Sequence, residues 1–554
     1  MARSALLPTR PGQPRPRGPR FWALLAFCVL AAPTLAAIWS HRWFVTQDGP
    51  IYLYNTHILT ESLKSNNPFA DYYSMRWLPV PYWGVYIVLG ALTSVFSERA
   101  SDHLMISITS IGFFASLLWL RSKVRGREGL ALAAPLAALL SINMLWLTGF
   151  YNFLFGALLY AITLGVWWSG RDDFGPKHAL YIAGLLVAGY LCHPVSLGMT
   201  VTAVTVLAVT TPGVGWRRRL GWTAISFLPL VPLALFYRHL VRSAGTMTAR
   251  WTDLTDPSSL NQWLTYIRGA NIISLAYNEP NLLFGNVISS WSHLPPVTTW
   301  AVGGLILFLL SALLARKDEG KAPPGTMRGW ILLSTAWILL GLIGPDDIGE
   351  AHGGFLRERL LLFGLATLFP ALKLNPKRFL TRMGAAPLLI AVLLQSLIVW
   401  NYAVFSSRLA EEFMQAKPHT GTGQRIAVLL VNPEDEYAAN PLTNISNLLG
   451  VDTGNVVWNN YAPALYYFPI QFRDETNGSL FYIRGIPAFT DQEIPGDELD
   501  DWAQLLSEIE SKTDVLVVWG GTPKLDEINS DWFEDDPVFE NDNVRVFKHR
   551  QGSS

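Results

Sequence analysis

Cysteine is nearly missing from this sequence, at two residues in 554, and charge is scarce, at 15%. Cys28 and Cys192 both fall inside apolar runs, so no disulfide is expected and no thiol redox chemistry is read. No G-x-G-x-x-G follows a strand-like run and no Walker-type lysine loop occurs, which leaves nucleotide binding without a motif. There is no H-E-x-x-H and no Cys/His cluster, so zinc chemistry of those kinds has no support. Internal repeats and heptads are lacking too. What is abundant is apolar: 50% of residues are hydrophobic, too many for a soluble chain of this length, and the pattern is that of an α-helical polytopic membrane protein.

Formal net charge is zero, but the signs are segregated. Residues 1–403 hold 32 Lys and Arg against 17 Asp and Glu, whereas residues 404–554 hold 10 against 25. The two parts are therefore built for different surroundings, and the acidic tail argues against a nucleic-acid partner. A spanning helix needs about 20 mostly apolar residues. Runs of that kind lie near 21–39, 103–120, 130–147, 152–168, 178–192, 195–211, 220–237, 297–315, 329–344, 358–372 and 384–403. Residues 1–20 are rich in Arg and Pro and read as a disordered tail. Five arginines precede the first run, which favours a cytoplasmic N-terminus and an uncleaved anchor.

Five basic loops, "RSKVRGR" (121–127), "RDDFGPK" (171–177), "GWRRR" (215–219), "RKDEGK" (316–321) and "KLNPKR" (373–378), belong on the cytoplasmic side. They all reach it only if "VPYWGVYIVLGALTSVF" (80–96) does not cross. The expectation is thus about 11 spans in a domain covering 21–403, with large outer segments at 40–102 and 238–296 and an extracytoplasmic C-terminus. Localisation follows as the inner, cytoplasmic membrane. The remainder, 404–554, reads as an α/β domain. "RIAVLLV" (425–431), "VLVVWG" (515–520) and "VRVFKH" (544–549) are strand-like, and "DELDDWAQLLSEIES" (497–511) is an amphipathic helix with acids in its first turn.

One acid stands out. In "WFVTQDGPIYLYNTHILTE" (43–61), Asp48 sits where the chain leaves the first span. Asp-Gly-Pro ahead of a helical run is good N-cap punctuation. The same place lets a carboxylate face a cleft at the bilayer surface, with Tyr54 and His57 as cleft-lining candidates on the following helix. Capping and catalysis are compatible, and both readings stay open on this residue alone.

The ordered set of features resembles the GT-C superfamily of polytopic glycosyltransferases, which includes the oligosaccharyltransferase catalytic subunit, protein O-mannosyltransferases and aminoarabinose transferases. An Arg-rich inner N-terminus and one span lead to an acid at the start of a long outer loop ("TQDGP"). A non-crossing apolar helix ("LPVPYWGVYIVLGAL"), a polar linker ("SERASDH"), a second span and a basic turn follow. The resemblance covers about the first 240 residues. It implies a polyprenyl-phosphate-linked sugar donor, an outer-face active site and Asp48 as the catalytic acid/base group. The sequence departs from the pattern in the next outer loop, "LTGFYNFLFG" (147–156), which carries Asn152 and no acid. That removes the second carboxylate of a metal site, so no metal ligand is assigned and no cofactor is expected, with a divalent ion left open.

A phosphate donor needs cations. Arg357 and Arg359 in "AHGGFLRERLLLF" (351–363) stand at the outer end of a span. Residues two apart do not share a helix face, so one of them is expected to point inward and the other to snorkel. His193 in "LCHPVS" and His352 are further candidates to line the cleft. The leading reading is sugar transfer to an acceptor hydroxyl, the acceptor unknown, with Asp48 as general base. Its rivals are a membrane transporter, against which no charged residue stands in mid-span, and an envelope-assembly protein whose outer domain binds a partner.

Overall fold

The computed structural model describes residues 18–213, 215–243, 249, 271–276, 296–317, 327–345, 347–349, 354–431, 437–473 and 496–550. The first helix, α1 (Pro19–Ser40), ends at an extended residue, and the chain then turns straight into α2 (Gly49–Glu61). A short strand β1 (Tyr73–Met75) and α3 (Trp83–Thr93) lead to α4 (Glu98–Arg125). Among the described residues, five helices are long and apolar enough to cross a membrane, including α1, α4 and the helix Tyr151–Gly170, so this is an integral membrane protein. The apolar helices Pro194–Thr210 and Arg328–Ile343 are shorter.

Two of the expected continuous runs are broken, each for a visible reason. The 130–147 run splits into α5 (Leu130–Ser141) and α6 (Met144–Leu147) because Asn143 caps the second piece, accepting from the Trp146 amide at 3.1 Å. Gln395 donates to the carbonyl of Ile142 at 2.7 Å and so satisfies a group the break would otherwise strand. The 220–237 run becomes two helices, Trp216–Ser226 and Leu230–Ser243, bent by 47°. Pro229 lies at that joint, where it lacks an amide hydrogen to continue the ladder.

α3 has 11 residues, about 16 Å of helix against a core of about 30 Å, so it cannot cross. A cysteine at exposed Ser94, after α3, is therefore expected to react with a membrane-impermeant maleimide from the same side as a cysteine at Asn66, before it. Labelling from opposite sides would show that residues 80–96 do span.

After α6 come α7 (Tyr151–Gly170), α8 (Pro176–Cys192), α9 (Pro194–Thr210), α10 (Trp216–Ser226) and α11 (Leu230–Ser243). Four more follow: α12 (Pro296–Lys317), α13 (Arg328–Ile343), α14 (Leu356–Ala371) and α15 (Phe379–Phe413). α15 continues the last apolar run through residue 413, past the expected end at 403. The tail then forms a five-stranded sheet in the order β3-β2-β5-β7-β6. Its strands are β2 (Arg425–Leu430), β3 (Val456–Val457), β5 (Val515–Trp519), β6 (Phe539–Glu540) and β7 (Val544–Lys548). β2 runs parallel to β3 and β5, while β7 is antiparallel to β5 and β6. Every residue of β5 is buried, as expected of a central strand covered on both faces.

The tail does not stand apart from the helical part. β4 (Ile470–Phe472) pairs antiparallel with β1 from the first loop, in a sheet of two strands. The Tyr54 hydroxyl donates to the Asn455 carbonyl at 2.8 Å and accepts from the Val457 amide at 3.2 Å. A Cβ on Gly450 would lie 2.2 Å from the Tyr54 ring, so the close approach needs glycine there. Buried residues of both parts form one continuous core.

Candidate active site

The segment between α1 and α2 is held by other elements rather than by itself. The Asp48 amide donates to the Thr148 carbonyl at 2.9 Å, and the Gln47 carbonyl accepts from Asn444 at 3.0 Å. Gly149, at φ +85°, allows this approach: a Cβ there would lie 2.7 Å from Thr46 Oγ1 and 3.1 Å from the Asp48 nitrogen.

Asp48 occupies the N-cap position of α2, but it does not cap. Its backbone is helical, at φ −99° and ψ −8°, and its side chain accepts no bond from the first turn. Folding back over those amides requires an extended backbone at the cap. The carboxylate turns instead toward the tail, where Asn444 Nδ2 donates to Oδ1 at 3.0 Å and the Tyr461 hydroxyl donates to Oδ2 at 2.9 Å. Asp48 is 4% exposed. Burial pushes its carboxyl up to about 7, against the lowering pull of the Tyr461 bond, the Arg359 charge and the Asn444 bond. Burial likewise pushes the Tyr461 phenol up, so it stays protonated and serves as a donor.

Asp48 faces a cavity of about 140 Å³, lined also by Tyr52, Tyr82, Asn152, His193, Arg359 and Tyr461, with Phe150, Phe153, Phe355, Tyr467 and Phe468 among its apolar walls. Arg359 is 6% exposed and lies between two rings, its guanidinium carbon 5.1 Å from the centre of Phe150 and 5.2 Å from that of Phe153. Its Nε has no hydrogen-bond partner, and among the described residues it makes no ion pair. Both nitrogens of buried His193 are also without a hydrogen-bond partner, as is the amide nitrogen of Asn152. Asn152 Oδ1 accepts from the Val85 amide at 3.3 Å, which fixes that side chain against α3. Unpaired buried donors are costly. A buried cation, an imidazole and an amide around one cavity together make a place for an anion.

Asp48, Asn152, His193 and Arg359 thus meet, though up to about 300 residues separate them in sequence. Arg357 is buried but does not line the cavity. Tyr54 and His57 do not line it either. Two residues along a helix turn the side chain by about 200°, so with Tyr52 facing the cavity, Tyr54 faces the tail. His57 lies beside Glu98, 3.7 Å away. His352 lies outside the described residues. Tyr461 and Asn444, the two side chains that hold the Asp48 carboxylate, carry no local signal in the sequence. The aromatic density of "YAPALYYF" (461–468) is the one trace that singles out this stretch.

No protein-family model matches the chain, and a search of curated proteins finds no match. Among solved structures, the chain is similar to the arabinofuranosyltransferase AftD from Mycobacteria, at 14% identity and TM-score 0.46, over 96% of this chain and 40% of that one. It is similar to ArnT from Cupriavidus metallidurans bound to undecaprenyl phosphate, at 12% identity and TM-score 0.45, over 96% and 98%. It is also similar to the Archaeoglobus fulgidus oligosaccharyltransferase tethered with an acceptor peptide, at 11% identity and TM-score 0.44, over 90% and 69%. The chain spans less than half the length of AftD. The proteins found are GT-C glycosyltransferases, the class that the sequence layout resembles. At such distance the chemistry has to come from the cavity.

Proposed function

We propose that this protein moves a sugar from a polyprenyl-phosphate carrier to an acceptor hydroxyl, on the outer face of the membrane. The carrying observation is the pairing of one buried carboxylate, Asp48, with one buried cation, Arg359, across a single cavity. Asp48 takes the proton of the acceptor hydroxyl as its oxygen attacks the anomeric carbon. The bond from that carbon to the phosphate oxygen breaks, and polyprenyl phosphate departs with the electron pair. Arg359 offers its planar fork to the phosphate oxygens, and a neutral His193 adds a hydrogen bond. One base and one displacement invert the anomeric centre.

A metal of the two-carboxylate kind does not fit this cavity. Asp48 is the one carboxylate among its described lining residues. No step is routed through a metal here. The test of the whole reading is transfer by the purified protein of a sugar from synthetic polyprenyl-phosphate donors in liposomes.

The pH dependence follows from the raised Asp48 carboxyl. Only the ionised form is a base, so kcat/KM is expected to rise with pH through about 7 and then level off. Donor phosphate neutralises Arg359, which otherwise lowers the Asp48 carboxyl, so the acid limb of kcat should lie at higher pH than that of kcat/KM. A profile flat from about pH 5 to 9 would remove Asp48 as the base.

A further inference from the structure

A second cluster of chemistry-bearing side chains lies outside the cavity. His57 on α2, Glu98 at the start of α4, and Asp452 in the tail bring one imidazole nitrogen and two carboxylate oxygens within 4.8 Å of one another. We infer that these residues bind a divalent cation of the zinc type, which clasps the far end of α2 and the start of α4 to the tail.

The donor set is one imidazole and two carboxylates, a set that suits zinc. Ligands about 2.1 Å from a tetrahedral ion stand about 3.4 Å apart. His57 Nδ1 and Glu98 Oε1 are 3.7 Å apart and the pairs with Asp452 lie within 4.8 Å, so side-chain shifts of up to about an ångström close the site. Two carboxylates this close repel unless a cation or a proton lies between them. Lys417 acts on both carboxylates electrostatically, but among the described residues it forms no direct ion pair with either. Its ammonium donates to the Val451 carbonyl at 2.8 Å. Lys64 is spent on Glu61, at 2.6 Å. Asp452 is exposed, which leaves an entry path and a fourth position for water.

Among the described residues, the segments that carry the three ligands meet through side-chain contacts and the two-stranded β1–β4 sheet. An ion here would hold the tail against α2, and the tail carries the Asn444 and Tyr461 that grip Asp48. The site stands whether or not the cavity transfers sugar.

The test uses the purified full-length protein with any affinity tag removed. After chelation and dialysis against zinc chloride, about one zinc per chain is expected by mass spectrometry, and zinc should raise the melting temperature. His57→Gln and Asp452→Asn should lose both effects, and Asp48→Asn should keep both. No stoichiometric zinc in the parent protein, or undiminished zinc in both variants, would overturn the inference. X-ray absorption at the zinc edge of the parent protein keeps the test open if the variants do not fold. It should show a shell of nitrogen and oxygen with one imidazole, whereas sulfur ligation would place the ion elsewhere.

Discussion

Asp48→Asn is expected to give a folded protein that transfers sugar about 10²–10⁴-fold more slowly, the usual worth of a positioned base. An amide cannot take the acceptor proton. It can keep the local bonds: its oxygen accepts from Asn444, as Asp48 does at 3.0 Å, and the Tyr461 hydroxyl can rotate to accept from its nitrogen. Stability should not fall at alkaline pH. A carboxyl held at about 7 in the fold and at about 4 when unfolded favours the native state less as pH rises between those values. The buried charge therefore costs stability above pH 7, and Asn removes it. Asp48→Ala differs, because it leaves the Tyr461 hydroxyl without an acceptor and Asn444 with the Gln47 carbonyl alone, at about 1–3 kcal/mol. A folded Asn variant with normal transfer, measured beside its melting curve, would show that the carboxylate is not the base.

Arg359→Ala should be nearly as damaging, and by another route. The guanidinium is buried between two rings and meets no described acceptor, and on the proposed mechanism the donor phosphate becomes its partner. Truncating one member of such a buried charged pair costs about 2–5 kcal/mol, or about 30- to 4,000-fold in donor kcat/KM. Arg359→Lys should recover part of this, because an ammonium keeps the charge but loses the two-pronged fork. Arg357→Ala is expected to cost far less, since that side chain does not line the cavity. Equal effects from the two alanine variants would point to packing of α14 rather than to phosphate binding.

The helices were readable because apolar runs are a local signal, and most observed bounds fall within a few residues of the runs. The breaks were less readable. Asn143 and Pro229 stand in plain view, but polar and proline residues also occur inside intact helices, and only the Gln395 contact shows how the first break is satisfied. Asp48 was legible by position and Arg359 only as one of a pair. Periodicity says that two residues two apart face differently, and not which of them faces in.

The sequence by itself determined that the chain lies in a membrane and that a lone acid follows the first helix, and its basic loops set the expectation that α3 does not cross. These rest on hydropathy, charge count and order along the chain, which survive without any fold. Only the tertiary structure decided what Asp48 does not do, which is cap α2, and what surrounds it. Its bonds run to Asn444 and Tyr461, about 400 residues away, and its opposing charge comes from Arg359. A carboxylate rises to about 7 through the loss of water around it, and that loss is created by packing the tail onto the first loop.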